Sequence, residues 1–254
     1  MSRLSKAQIK LHHQAEELLK LDRLDDDQRE FVLDNWQESA RHVNSAAGAF
    51  FTPSGLARDL AYFAQREGGP IIDLCAGIGG LGLWCWWISG QRSPVTCVEL
   101  NPDYVTVGRK IFPEATWICA SVETALDLGR FTVAVSNPPF GKTAKIKGPR
   151  YSGEDDLAVI DIASQIAEYG TFILPQISCP FEYSGKRHYR ERQSVKFDKF
   201  HKATGIILAC ESVDCAHYAD DWRGVLPSVE MVGADFEGQV AETEQADSFG
   251  SLAA

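Results

Sequence analysis

Ile71-Ile72-Asp73-Leu74-Cys75-Ala76-Gly77-Ile78-Gly79-Gly80 is the stretch on which the fold turns. Its first four residues are mostly apolar and follow Gly68-Gly69-Pro70, so they read as a short buried strand. The glycines after it let the backbone turn sharply and approach a ligand closely. A segment rich in Leu and Trp comes next and reads as a helix. Strand, glycine loop and helix together place a ligand at the helix N-terminus.

The same rhythm continues outward. Residues 95–100, 116–120, 131–135 and 171–174 read as further strands, with a helical pattern at 156–168. Residues 204–209 and 227–236 read as two more strands, lying side by side. Upstream, Pro53-Ser54 opens a helix through about Arg66. Strands alternating with helices predict an α/β fold: a Rossmann-like, doubly wound, mostly parallel seven-stranded sheet.

Residues 1–46 read as an N-terminal helical extension to a main domain at 47–236. Ser5-Lys6-Ala7-Gln8 forms a capping box, and Ile9, Leu11, Ala15, Leu18 and Leu19 recur at helical spacing. Asp25-Asp26-Asp27 suits the start of a second helix, with Phe31, Val32 and Trp36 as its apolar face. The extension reads as a cap on the main domain, or else as a target-recognition or dimerisation element. Residues 237–254 are poor in apolar side chains and read as a disordered acidic tail.

Composition limits the partners. The 254 residues carry a net charge of −10, so the protein as a whole does not attract nucleic acid and any such surface must be a local basic patch. The seven cysteines are odd in number and form no Cys-x-x-Cys pair, which predicts free thiols in a reducing cytoplasm. Cys215 and His217 lack a second ligand pair nearby, so no metal is expected. The N-terminus lacks the apolar core of a secretory signal, and no run of ~18 apolar residues predicts a membrane span.

Two further motifs carry chemistry. Glu99 ends the second strand, 22 residues after Gly77. A carboxylate there is placed to accept hydrogen bonds from both hydroxyls of a ribose. The spacing Gly-x-Gly-Gly after Asp73 is not that of a dinucleotide loop, and suits a cofactor with a cationic amino-acid part. Directly after the strand at 131–135 comes Asn137-Pro138-Pro139-Phe140. The two prolines fix φ and hold the Asn137 side chain and the Pro138 carbonyl rigidly at the edge of the sheet. Those two oxygens can accept both hydrogens of an exocyclic amine, while Phe140 can stack on a base.

In these residues the chain resembles the amino-group DNA methyltransferases, in the branch where cofactor motifs precede the catalytic tetrapeptide. Gly48-Ala49-Phe50-Phe51-Thr52-Pro53 is similar to the Gly-x-Phe/Tyr-Thr-Pro segment of that branch. Residues 170–175 resemble a late strand of the family. The resemblance implies an adenine-N6 methyltransferase using S-adenosylmethionine. It implies that Phe51, Thr52 and Pro53 touch the methionine part of the cofactor. Asp73 and the backbone of Cys75, Ala76, Gly77, Gly79 and Gly80 would bind the amino-acid end. Glu99 would hold the ribose and Leu100 the adenine ring. Where the family often has an acid after the third strand, this chain has Ser121. Asn137 and Pro138 would bind the target amine, beside Pro139, with Phe140 stacking on a flipped base.

Basic residues cluster beside these motifs. Residues 142–150 carry Lys142, Lys145, Lys147 and Arg150 with no acid. Residues 183–202 carry Lys186, Arg187, Arg190, Arg192, Lys196, Lys199 and Lys202 against Glu191 and Asp198. Such segregation on an acidic protein predicts phosphate contact, with double-stranded DNA as the expected substrate. The loop at 141–153 is expected to fold over the flipped base. RNA adenine and protein glutamine methylation are the alternatives, as is a modification subunit or inactive regulator. No large target-recognition domain follows the core, which points to a separate specificity subunit or to low specificity; a homodimer is the other expected assembly.

Overall fold

Seven strands form one sheet in the order β3-β2-β1-β4-β5-β9-β8, in a computed structural model that describes residues 5–37, 50–65, 68–222 and 226–237. In chain order, the elements begin with helices α1 (Lys6–Leu18), α2 (Asp26–Asn35) and α3 (Ser54–Ala64). Then come β1 (Ile71–Leu74), α4 (Gly80–Ile88), β2 (Val95–Glu99), α5 (Pro102–Ile111), β3 (Thr116–Cys119) and β4 (Phe131–Ser136). The second half has α6 (Asp155–Ile166), β5 (Ala167–Pro175), the short hairpin strands β6 (Phe181–Glu182) and β7 (Arg190–Glu191), and α7 (Val195–Thr204). β8 (Ala209–Cys210) and β9 (Val229–Asp235) complete the sheet.

β1 to β5 are parallel, and β9 pairs antiparallel with both β5 and β8. Side chains alternate across the sheet, so each face has its own core. Ile71, Val133, Val135 and Ile173 pack with α2 to α5. Ile72, Leu74, Ala134, Phe172 and Leu174 pack with α6 and the apolar residues around α7. The order runs outward from β1 to β3 on one side and from β4 to β5 on the other. That reversal opens a crevice beyond the carboxyl ends of β1 and β4, where open α/β sheets bind ligands. Asp73 pairs across the sheet with Cys97 and Val135, so Asp73, Glu99 and Asn137 meet at this edge.

One expected strand is corrected. Residues 204–209 do not form a strand; α7 runs to Thr204, and only Ala209 and Cys210 pair with β9. Ser194 caps the start of α7 and Gly205, at φ 74°, ends it. Ile206 and Leu208 are buried while Ile207 is exposed, which gives an alternating pattern without sheet pairing. The other six predicted strands form within a few residues of the predicted bounds.

Both predicted N-terminal helices form, each opened by a capping box, at Ser5 and at Asp25. They pack on the main domain: Val32, Leu33 and Trp36 join the core on the α2–α5 side. Arg29 makes a two-pronged ion pair with Glu114, at 3.0 and 2.8 Å. The predicted tail, beyond Glu237, lies outside the described residues, as do Gly48 and Ala49. All seven cysteines are free thiols, and four of them are buried.

Candidate cofactor and substrate site

Two adjoining hollows lie at the crevice and share Phe50, Phe51, Cys75, Gly77 and Asn137. The inner one adds Thr52, Asp73, Ala76 and Gly80. The outer one adds Glu99, Leu100, Ser121 and Pro139. Nearly every residue expected to touch the cofactor therefore lines one of these two adjoining hollows. Pro53 and Gly79 line neither: Pro53 caps α3, and Gly79 (φ 91°) lies so close to Trp117 that an added Cβ would come within 2.8 Å of its ring. Gly77, at φ 57°, faces the Phe51 ring, where a Cβ would stand at 3.2 Å.

Asp73 is fully buried. Its Oδ2 accepts the Gly82 amide at 2.8 Å, and its Oδ1 has no partner among the described residues. Burial pushes its carboxyl up to about 8, against the Gly82 hydrogen bond and with a small further push from Glu99. Such a group accepts a cation readily, because pairing removes the cost of burying its charge. Glu99 accepts the Gly77 amide at 2.8 Å on one oxygen and the Asn101 amide at 2.8 Å on the other. Burial raises its carboxyl despite those bonds. Each oxygen keeps a lone pair for a hydroxyl donor. Leu100 is 66% exposed at the tip of β2, an apolar surface suited to a flat ring. The Ser121 hydroxyl donates to Glu123, which also accepts the Lys147 amide at 3.2 Å.

The Asn137 amide has one orientation. Its Nδ2 donates to the Phe50 carbonyl at 2.7 Å and to the Thr52 hydroxyl at 3.0 Å. A carbonyl can only accept, so the nitrogen must face residues 50–52. The Oδ1 is left buried, with no partner among the described residues. A buried acceptor of this kind costs about 1–3 kcal/mol unless something donates to it. Ser136 fixes the strand end beneath, its hydroxyl donating to the Leu74 carbonyl. Pro138 is buried, and the Phe140 ring is half-buried, 6.1 Å from that of Phe50.

The basic residues divide into two groups. Arg150 is tied down at the surface: it binds the buried Asp161 at 2.8 Å, the Thr204 carbonyl at 3.1 Å and the Ser164 hydroxyl at 2.6 Å. Lys142 stands 3.9 Å from Glu154, Lys186 3.7 Å from Glu182, and Arg192 3.0 Å from Glu182. Among the described residues Lys145, Lys147, Arg187 and Arg190 are exposed and make no ion pair. The loop bearing Arg187 is anchored by the buried Glu230, which accepts from the Tyr183 and Ser184 amides, the Ser184 hydroxyl and Gln176.

Three contributors left no mark in the sequence. The Phe50 carbonyl orients Asn137, and any residue carries such an atom. Tyr104 and Ile146 line the outer hollow from distant segments, and their burial reads as ordinary core.

No protein-family model matches the chain, and no curated protein matches it by sequence. Solved structures do match. A structure provisionally described as a class I S-adenosylmethionine-dependent methyltransferase, from Listeria monocytogenes, aligns with a TM-score of 0.56 at 13% identity, over 91% of this chain and 81% of its own. The methyltransferase subunit of a type I restriction-modification system from Streptococcus thermophilus aligns with a TM-score of 0.54 at 16% identity, over 87% of this chain and 52% of its own. A structure provisionally described as an RNA methyltransferase, from Pyrococcus horikoshii, aligns with a TM-score of 0.50 at 16% identity, over 87% of this chain and 96% of its own. The fold is thus that of the class I S-adenosylmethionine-dependent methyltransferases. The chain spans about half the length of the type I subunit.

Proposed function

We propose that the chain binds S-adenosylmethionine and methylates the exocyclic N6 amine of adenine in DNA. The observation that carries the reading is Asn137, whose Nδ2 is held by Phe50 and Thr52 and whose Oδ1 is a buried acceptor without a donor among the described residues.

The residues present fit the cofactor. Asp73, with a buried oxygen free of partners among the described residues, would hold its ammonium group, and Glu99 and Leu100, which line the outer hollow, would hold its ribose and base. When bound, S-adenosylmethionine supplies an electrophilic methyl group on a sulfonium. The lone pair of an aromatic amine is delocalised into its ring and is a poor nucleophile. Asn137 Oδ1 and the Pro138 carbonyl accept the two amine hydrogens and favour a more tetrahedral nitrogen. Positive charge grows on that nitrogen during transfer, so both dipoles stabilise the transition state more than the ground state. Phe140 and its neighbour Phe50 offer stacking surface for an extruded base. Lys145, Lys147, Arg187 and Arg190 are the candidate phosphate contacts.

The test is methyl transfer from labelled cofactor onto duplex DNA, single-stranded DNA, RNA and protein, with the product identified. N6-methyladenine in duplex DNA, lost in Asn137→Ala, supports the reading. Label in RNA, on cytosine or on glutamine overturns the DNA-adenine assignment.

A further inference from the structure

The loop after the tetrapeptide, expected to fold over a flipped base, also lines the outer hollow. Ala144 and Ile146 line the same hollow as Glu99, Leu100 and Ser121. Ile146 is 7% exposed, although it lies between two exposed lysines.

Its geometry centres on Lys145 and Asp155. Lys145 adopts φ 58°, the left-handed region that a lysine visits only at a cost. A left-handed residue turns the amides on either side of it toward one point, and an anion suits that concavity. Here the anion is Asp155, in the first turn of α6. Its Oδ2 accepts the Ala144 amide at 2.7 Å and its Oδ1 the Ile146 amide at 2.8 Å. The loop is closed at both ends: the Asp155 amide donates to the Gly141 carbonyl at 2.5 Å, and the Lys147 amide to Glu123 at 3.2 Å. Asp155 is 1% exposed. Charge-assisted bonds to an ionised acceptor in such a setting are about twice as strong as neutral ones.

We infer that Asp155 is a positioning residue that holds residues 141–147 as a wall of the cofactor cavity, so that Ile146 sets the room left for the cofactor's base. The inference rests on the S-adenosylmethionine reading above. Asp155 touches neither cofactor nor substrate; it acts through Ala144 and Ile146. The strain at Lys145 is sustained by the two bonds to Asp155. In this chain Ser121 stands where an acid would bond the base, and the wall supplies shape in place of that interaction.

Asp155→Asn tests this directly. One of its two oxygens becomes an NH2 that faces an amide hydrogen, so one bond is broken and the loop is released. Calorimetric titration of the wild-type protein and of Asp155→Asn with S-adenosylmethionine should show binding weakened about tenfold, on the order of one charge-assisted hydrogen bond. At saturating cofactor and nucleic acid, kcat should stay within about twofold, as expected when only ground-state binding is reduced. A second variant does not depend on that one folding well. Ile146→Ala should shift preference about tenfold toward a cofactor analogue alkylated on its adenine N6, the scale of a few methylenes in an apolar pocket. Unchanged cofactor affinity in Asp155→Asn, an equal loss in kcat at saturating cofactor, or no shift of preference in Ile146→Ala would overturn the inference alone. Absence of binding to the wild-type protein would overturn the cofactor reading and this inference with it.

Discussion

The Asn137 amide nitrogen stands 2.7 Å from the carbonyl oxygen of Phe50, 87 positions earlier in the chain. That bond, with the Thr52 hydroxyl at 3.0 Å, decides which end of the amide is presented to a substrate. Asn137→Ala should therefore lower kcat by about 100- to 1000-fold, the usual loss for one preorganised dipole at a reacting centre. Thr52→Val removes one of the two restraints and should cost less, about tenfold. Single-turnover methyl transfer at saturating cofactor measures both. A larger loss in Thr52→Val than in Asn137→Ala would contradict the assigned roles.

Asp73 links pH to both stability and cofactor binding. Its carboxyl is raised from 3.8 to about 8 by burial, so the folded protein holds a proton that the unfolded chain has released. The sign is then set: from the unfolded value upward, rising pH favours the unfolded chain at this site until the folded group also ionises. Thermal unfolding should show the wild type losing stability relative to Asp73→Asn between pH 3.8 and about 8. Cofactor affinity should change in the opposite sense, strengthening from roughly pH 6 to pH 7.5, while the ligand's own α-amino group stays charged. Titrations in buffers of different ionisation enthalpy should register proton release on binding. A flat affinity across that range would exclude Asp73 as the partner of the ammonium group.

Arg29 is 6% exposed and grips Glu114 with both terminal nitrogens. Arg29→Ala leaves a half-buried carboxylate without its partner, a loss of about 1–3 kcal/mol once the exposure of Glu114 is allowed for. Because Leu33 of the same helix lines the inner hollow, cofactor affinity should fall as well. Chemical denaturation and cofactor titration of Arg29→Ala check the two effects. Unchanged stability would place α2 outside the cooperative fold.

Arg187 and Arg190 have no acidic partner among the described residues, while Arg150 is bound to Asp161 and Ser164. Replacing Arg187 and Arg190 together by Ala should weaken nucleic-acid binding. The slope of log affinity against log salt should become shallower by about 0.9 for each phosphate no longer neutralised. Arg150→Ala should instead destabilise the protein with little change in that slope. Binding measured at several salt concentrations, beside thermal unfolding, separates the two. The opposite pattern would move the phosphate surface away from the β6–β7 hairpin.

Much of this was legible in the chain itself. Local order in the sequence determined the strand, glycine loop and helix at 71–88, the carboxylate at Glu99 and the tetrapeptide at 137–140, because each depends on neighbouring residues and on backbone restrictions that glycine and proline impose. Tertiary structure alone decided which atoms those motifs present. Asn137 is oriented by a carbonyl with no sequence signature, Arg150 is engaged by the buried Asp161, and Ile146 is turned inward by Asp155. Residues 204–209 alternate like a strand, yet a strand also needs a neighbour to bond, and β9 is reached only by Ala209 and Cys210. Pattern records what a segment can bury; the partner that satisfies its polar atoms is chosen only when the rest of the chain has folded.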